Sequence, residues 1–119
     1  MMQKEFVSRF AQDWLYAWNA HDLARILSHY ADDLEMSSPA IVQLAQEPSG
    51  VLRGKTAVAA YWVKALGAFP HLKFELLSTL VGVNTLALHY KGVNDRQVTE
   101  VFEFNADGKV VRAMAHYAT

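Results

Sequence analysis

At Pro70 the apolar periodicity of this 119-residue chain changes from the three-and-four step of a helix to the alternation of a strand. Upstream, Phe6, Val7, Phe10, Trp14, Ala17 and Trp18 recur on one face and predict an amphipathic helix over Lys4 to Trp18. Asp22 can accept from free backbone N–H groups as an N-cap, and Leu23, Ile26, Leu27 and Tyr30 continue as a short second helix. Ala31-Asp32-Asp33 turns the chain into a brief strand, Leu34 to Ser37. Ser38 to Arg53 carries no sustained period and is broken by Pro39, Pro48, Ser49 and Gly50. It reads as a long connection of the kind that forms mobile lids, with Ile41, Val42 and Leu44 seeking an apolar surface. Gly54 opens a third helix with the stripe Val58, Tyr61, Trp62, Ala65, Leu66 and Phe69, ended by Gly67 and Pro70. Four strands follow, roughly Leu72 to Val81, Thr85 to Lys91, Arg96 to Asn105 and Val110 to Tyr117, joined by short Gly- and Asn-containing hairpin loops.

Helices first and a meander last define an α+β layout: one domain over residues 1–119, with three N-terminal helices packed on a curved antiparallel sheet. The hydrophobic share is 52%, more than a small monomer readily hides, which implies an added buried surface such as a cavity or a dimer interface. There is no cysteine, so neither disulfide nor thiol chemistry arises. A net charge of -1 with scattered Lys and Arg gives no footprint for nucleic acid or an anionic membrane. The first residues lack an apolar signal region and no apolar run is long enough to span a bilayer, which predicts a cytoplasmic protein.

The residue that carries chemistry is Glu100. Val98, Glu100, Phe102 and Phe104 share one strand face, which places a carboxylate where a core residue belongs, and burying an acid is costly unless it is paired or protonated. An edge-strand glutamate turned to solvent is the simpler alternative. With Gly108 at the left-handed position of a three-residue loop, regular pairing sets Phe104 opposite Val110 and Glu100 opposite Met114, with Arg112 and His116 on the diagonals. On this register Glu100, Arg112 and His116 form a polar cluster in a pocket. Glu100 would be a proton carrier or a structural ion-pair partner, and His116 a relay or the ligand of a backbone carbonyl. Tyr90, on the face of Leu86 and Leu88, is the phenol best placed to reach the cluster, whereas a one-residue slip would send His89 inward. The opposite face would then expose Val101, Val111, Ala113, Ala115 and Tyr117, an apolar surface suited to a homodimer. His21, His29, His71 and His89 have no metal-ligand spacing, and no phosphate loop or nucleophile elbow is present.

Trp18-Asn19-Ala20-His21-Asp22-Leu23, Tyr30-Ala31-Asp32-Asp33, Leu52-Arg53-Gly54-Lys55 and the run from Phe102 to Val111 together resemble the nuclear transport factor 2-like superfamily. Its cone-shaped α+β fold includes SnoaL-like cyclases and ketosteroid isomerases. The resemblance covers nearly the whole chain and implies a closed, mostly apolar cavity. The positions of the isomerases' tyrosine, aspartate base and protonated aspartate are taken here by Trp14, Ser38 and Glu100, and the last strand ends His116-Tyr117-Ala118 where the cyclases tend to carry an aspartate. The fold is therefore carried over more firmly than any activity. The reading is a small-molecule-binding protein with no cofactor, in which Glu100 and His116 act as acid and base in an isomerisation, dehydration or cyclisation. Arg112 would orient Glu100, and Trp14, Trp18, Ser38, Trp62, Tyr90, Phe102 and Met114 would contact the ligand. The alternative is a noncatalytic dimeric binding or scaffold module in which the same polar residues are buried structural partners.

Overall fold

The computed structural model describes residues 2–119. Helix α1 (Lys4–Asn19) buries Val7, Phe10, Ala11, Trp14, Ala17 and Trp18, the stripe that the sequence periodicity marks. It ends where His21 takes a left-handed φ of 55°. Beyond that turn the Asp22 side chain accepts from Arg25 N–H at 3.1 Å and caps α2 (Leu23–Leu27). Helix α2 stops short of Tyr30, which instead opens β1 (Tyr30–Ser37). Tyr30 N-terminal to the strand's buried Leu34 and Met36 is drawn into the interior by pairing with Val110, so strand pairing overrides the helical spacing there.

The segment after β1 is more regular than its composition suggests. Ser38 caps α3 (Pro39–Leu44) with its hydroxyl on Ala40 N–H, and Pro39 takes the first helical position, where its missing N–H costs nothing. Ile41 is fully buried, and β2 (Val51–Arg53) pairs antiparallel with β1. The stretch is thus a wall of the molecule built from a helix and a strand. Helix α4 (Lys55–Ala68) then buries Val58, Tyr61, Trp62 and Ala65.

Strands β3 (Glu75–Val81), β4 (Thr85–Lys91), β5 (Gln97–Phe104) and β6 (Val110–Tyr117) form an antiparallel meander, and the sheet order is β2-β1-β6-β5-β4-β3. Among the described residues the one parallel pairing is β1 with β6. The segment Leu72 to Phe74, expected as strand, leads into β3 instead, held by Asn19: its Oδ1 accepts from Phe74 N–H at 2.7 Å and its Nδ2 donates to Phe74 O at 3.0 Å. His21 Nε2 lies 2.8 Å from Leu72 O, so the turn after α1 and this segment are sewn together.

The decisive irregularity lies in β6. Gly108 does take the left-handed conformation, with φ 74°, and Phe104 does pair with Val110. Val111 is then an extra residue, because Glu103 pairs with Arg112 and every later position is displaced by one. Glu100 consequently faces Ala115, not Met114, and the two faces of β6 are exchanged relative to regular pairing. Ala113, Ala115 and Tyr117 point into the fold, while Arg112, Met114 and His116 stand on the outer face. The expected apolar exterior of Ala113, Ala115 and Tyr117 is corrected accordingly.

One half of the space between α1 and the sheet is filled by aromatic packing. Phe102 is fully buried, 5.1 Å from the Phe10 ring and 5.7 Å from that of Trp14, both edge-on. Phe10 and Phe6 close on Phe104 at 5.0 and 5.2 Å. On the outer face Arg112 lies 3.6 Å from Glu35 and 3.5 Å from Glu103, and Arg53 lies 3.2 Å from Glu35, a solvent-screened network. Exposed pairs of this kind contribute roughly 0 to 1 kcal/mol. Arg112→Ala should therefore lower the unfolding free energy by less than about 1 kcal/mol in a urea titration, and a loss of about 3 to 5 kcal/mol, the cost of breaking a buried pair, would place the guanidinium inside instead.

Candidate active site: a buried carboxyl facing an aromatic cavity

The part of the interior that the aromatic core leaves free is a cavity of about 410 Å³ between the sheet, α3 and α4. Its walls are Trp14 and Trp18 from α1, Trp62 from α4, Phe74 from the lead into β3, and Tyr90 from β4. Trp18 and Trp62 meet edge-on at 5.4 Å, and Phe74 stacks beside Trp14 at 5.6 Å, so these rings brace one another around the space. The rim is more polar: exposed Pro39 and Gln43 on α3, and Asn94 and Arg96 in the turn between β4 and β5. That turn is tightly wound, with Asn94 and Asp95 both at φ 58°.

Glu100 projects into this cavity from the inward row of β5 and is only 5% exposed. Its cross-strand neighbours are Leu88 and Ala115, neither of which can neutralise a charge. Among the described residues its hydrogen-bond partner is the Tyr90 hydroxyl, which donates to Oε1 at 2.9 Å. Burial raises the Glu100 carboxyl from an ordinary 4.5 to about 7, against the opposing pull of the Tyr90 hydrogen bond. Tyr90 is itself held well above the usual phenol range by burial and by the charge of Glu100, so it stays protonated as the donor. Tyr30 lies behind, its oxygen accepting from Trp14 Nε1 at 3.2 Å, and burial followed by the same Glu100 charge raises its phenol too.

A second polar group lies elsewhere on the wall. Ser38 Oγ accepts from Ala40 N–H at 3.2 Å and donates to the Tyr117 hydroxyl at 3.4 Å. Tyr61, from α4, stands beside both: burial raises its phenol, with a further push from Tyr117 and an opposing one from Ser38. Arg96 packs over the Tyr117 ring at 4.9 Å, with its Nε donating to Ala118 O at 3.3 Å, which fixes the end of β6 at the rim.

The structure brings together Glu100, Tyr90, Ser38, Trp14, Trp18 and Trp62 on one cavity. Phe102 lies below it, in the filled half of the core. Arg112, His116 and Met114 are outside, the first on Glu35 and Glu103, the second with Nδ1 3.2 Å from Thr99 O, so neither can orient or relay for Glu100. Tyr61 and Tyr117 are the cavity residues whose chemistry the sequence reading missed. A phenol at the centre of a buried helical stripe marked Tyr61; Tyr117 was hidden by the Val111 bulge. No three His, Cys, Asp or Glu side chains converge as metal ligands among the described residues.

This fold, with helices against a curved sheet around one cavity, is that of the SnoaL-like and nuclear transport factor 2-like α+β proteins. Residues 11–113 match the SnoaL-like domain, and the chain belongs to that family. A SnoaL-like protein of unknown function from Burkholderia thailandensis is 56% identical, with 98% of each chain covered and a TM-score of 0.94. A SnoaL-like family protein from Agrobacterium tumefaciens, proposed to be an isomerase, shares 19% identity over 97% of this chain and 99% of its own, at a TM-score of 0.77. A proposed polyketide cyclase from Sinorhizobium meliloti shares 18% over 97% and 100%, at 0.76. At those identities the likeness is one of fold. No functionally curated protein matches the chain. Among the described residues no helix is long and apolar enough to cross a membrane.

The raised Glu100 carboxyl has a consequence for stability. Between an unfolded value near 4.5 and a folded value near 7 the native state holds a proton that the unfolded chain has released, so stability is highest below pH 4.5 for this group and falls as pH rises to 7. The full loss is on the order of 3 kcal/mol, at about 1.4 kcal/mol per pH unit. Glu100→Gln, which keeps the shape and the Tyr90 hydrogen bond, should flatten this slope and melt higher than the parent at pH 8. A variant less stable than the parent at pH 8 would show instead that burial does not destabilise the carboxylate.

Proposed function

We propose that this protein binds a small, largely apolar organic molecule in the aromatic cavity and moves a proton on it with Glu100. The observation that carries the reading is the buried carboxyl itself, facing a cavity of about 410 Å³ and poised to titrate at about 7. A carboxyl of that kind is available at neutral pH in both forms: the carboxylate takes a proton from the ligand, and the acid so formed returns it to another atom. Tyr90 holds one carboxyl oxygen and leaves the other free to face the ligand. With His116 on the outer face, Glu100 serves as both base and acid, which suits an isomerisation, dehydration or cyclisation in which one proton changes place.

Deuterium exchange reads this step directly, because it registers proton removal whether or not a product accumulates. In D₂O the bicyclic ketone 1-tetralone should take up deuterium beside its carbonyl in the presence of the protein, at a rate that rises with pH through about 7 as Glu100 ionises. Glu100→Gln should lower that rate by about 10² to 10⁴ while ligand affinity holds. Tyr90→Phe should move the midpoint upward, since the hydrogen bond it removes favours the carboxylate. Binding with no exchange in the parent protein would favour the second reading, a noncatalytic ligand-binding module. That reading draws support from the placement of Arg112 and His116 outside the cavity.

The outer sheet face supports a homodimer in either case. Leu80, Ala87, Val101 and Met114 stand opposite one another across four strands and form an apolar row, bordered by the Glu35, Arg112 and Glu103 charges. Sedimentation at micromolar concentration should give a dimer, and Val101→Glu, which sets like charges near a two-fold axis, should give a monomer. A parent protein that sediments as a monomer would remove the proposal.

A further inference from the structure

Two charged side chains line the cavity, and they stand apart. Glu100 is buried on β5, whereas Arg96 is exposed at the mouth, the residue immediately before that strand. Among the described residues no ion pair joins them, and Arg96 pairs with no other carboxylate, although Arg25, Arg53 and Arg112 each lie beside an aspartate or a glutamate. The cavity therefore has one cation, and nothing in the protein neutralises it.

An unpaired guanidinium on a surface is ordinarily free to swing, but Arg96 is held in place. Its backbone N–H donates to Val93 O at 3.2 Å and its carbonyl accepts from Gly92 N–H at 2.8 Å. Its side-chain Nε donates to Ala118 O at 3.3 Å, and the guanidinium lies over the Tyr117 ring, which is itself part of the cavity wall. Both Nη groups are left without an acceptor among the described residues, so a planar fork of N–H donors stands at the entrance. The turn that carries it has a conformational cost, since Asn94 and Asp95 both occupy the left-handed region at φ 58°. Backbone of that kind persists where the surrounding structure imposes it, and here it delivers Arg96 and the neutral Asn94 to the rim.

Resting on the small-molecule reading of the cavity, we propose that Arg96 is a ligand-binding residue that takes a carboxylate at the cavity mouth, so that the ligand is a monocarboxylic acid with an apolar ring body. The count of charges selects a monoanion: a single cation matches one negative charge, and a second would stand uncompensated in a space shared with Glu100. The fork selects a carboxylate, whose two oxygens accept two parallel N–H bonds in one plane. Placing the anion at the exposed rim also spares it the desolvation it would meet beside Glu100. Arg96 thereby sets which end of the ligand enters first. The ring body lies among Trp18, Trp62 and Phe74, and its atoms, not the carboxylate, face Glu100.

The test compares naphthalene-2-carboxylate with naphthalene-2-carboxamide, its neutral isostere, by calorimetry at about pH 6, where the ligand acid is ionised and Glu100 mostly holds its proton. In about 0.01 M salt the parent protein should bind the carboxylate about five- to tenfold more tightly. In about 1 M salt that preference should shrink to about twofold or less, because the contact lies in solvent. Arg96→Gln should bring the preference to about twofold or less already at low salt, while the carboxamide's Kd rises by about threefold or less. A loss confined to the anion is what a purely structural role in holding Ala118 would not produce. Equal affinity for the two ligands in the parent, or a preference that survives in Arg96→Gln, overturns the assignment while leaving the cavity reading intact. A preference in the parent that salt does not reduce overturns it too, whether or not the variant folds. Failure of both ligands to bind overturns the cavity reading and the carboxylate site with it.

Discussion

Pairing between β5 and β6 governs the interior of this molecule, because the sheet is a single layer and each strand residue must choose a face. The extra residue at Val111 makes that choice for the last six positions of the strand. With it, the inward row of β6 is Ala113, Ala115 and Tyr117; without it the row would be Arg112, Met114 and His116. Two alanines next to Phe102 and Glu100 leave room where long side chains would fill the space. Ala113 lets the Phe102 ring sink to full burial, and Ala115 leaves the space beside the carboxyl open. Elsewhere the core is aromatic, with Phe10 packed edge-on against both Phe102 and Phe104. The cavity is thus a consequence of register before it is a consequence of any one residue's chemistry.

A second consequence concerns charge. Bringing Arg112 inward would have paired Glu100 and kept its carboxyl an ordinary acid; with Arg112 on Glu35 and Glu103, no cationic side chain among the described residues pairs with Glu100. Burial then dominates and holds the group near neutrality, with Tyr90 as the moderating donor. The same exchange of faces brings Tyr117 alongside Ser38 and Tyr61, so the cavity acquires a carboxyl at one place and a cluster of phenols at another. Polar groups in a largely apolar enclosure cost stability unless they are hydrogen-bonded.

The Asn19 and His21 contacts show how short sequence signatures act as structural pins. Asn19 offers both amide groups to the backbone of Phe74 as a neighbouring strand would, and His21 holds Leu72. The run Trp18-Asn19-Ala20-His21-Asp22, which carries much of the family resemblance, therefore does its work by ending α1, capping α2 and seating the Phe74 wall of the cavity.

The residues by themselves determined the α+β order, the buried stripes of α1 and α4 and the left-handed Gly108 turn, because each depends on local periodicity or on one turn; alternation favoured Glu100 and Tyr90 facing inward, and the sheet register decided it. The helix inside residues 38–53 and the strand that starts at Tyr30 needed the β1 pairings, which join residues far apart in the chain. The tertiary structure alone decided which face of β6 looks inward. The sequence carried a hint, since Arg112 and His116 share one parity and Ala113, Ala115 and Tyr117 the other, so polarity opposed regular pairing. Alternation can be read along a strand, but a bulge resets it, and whether one forms depends on how the whole strand balances burial of small and aromatic residues against solvation of a guanidinium and an imidazole.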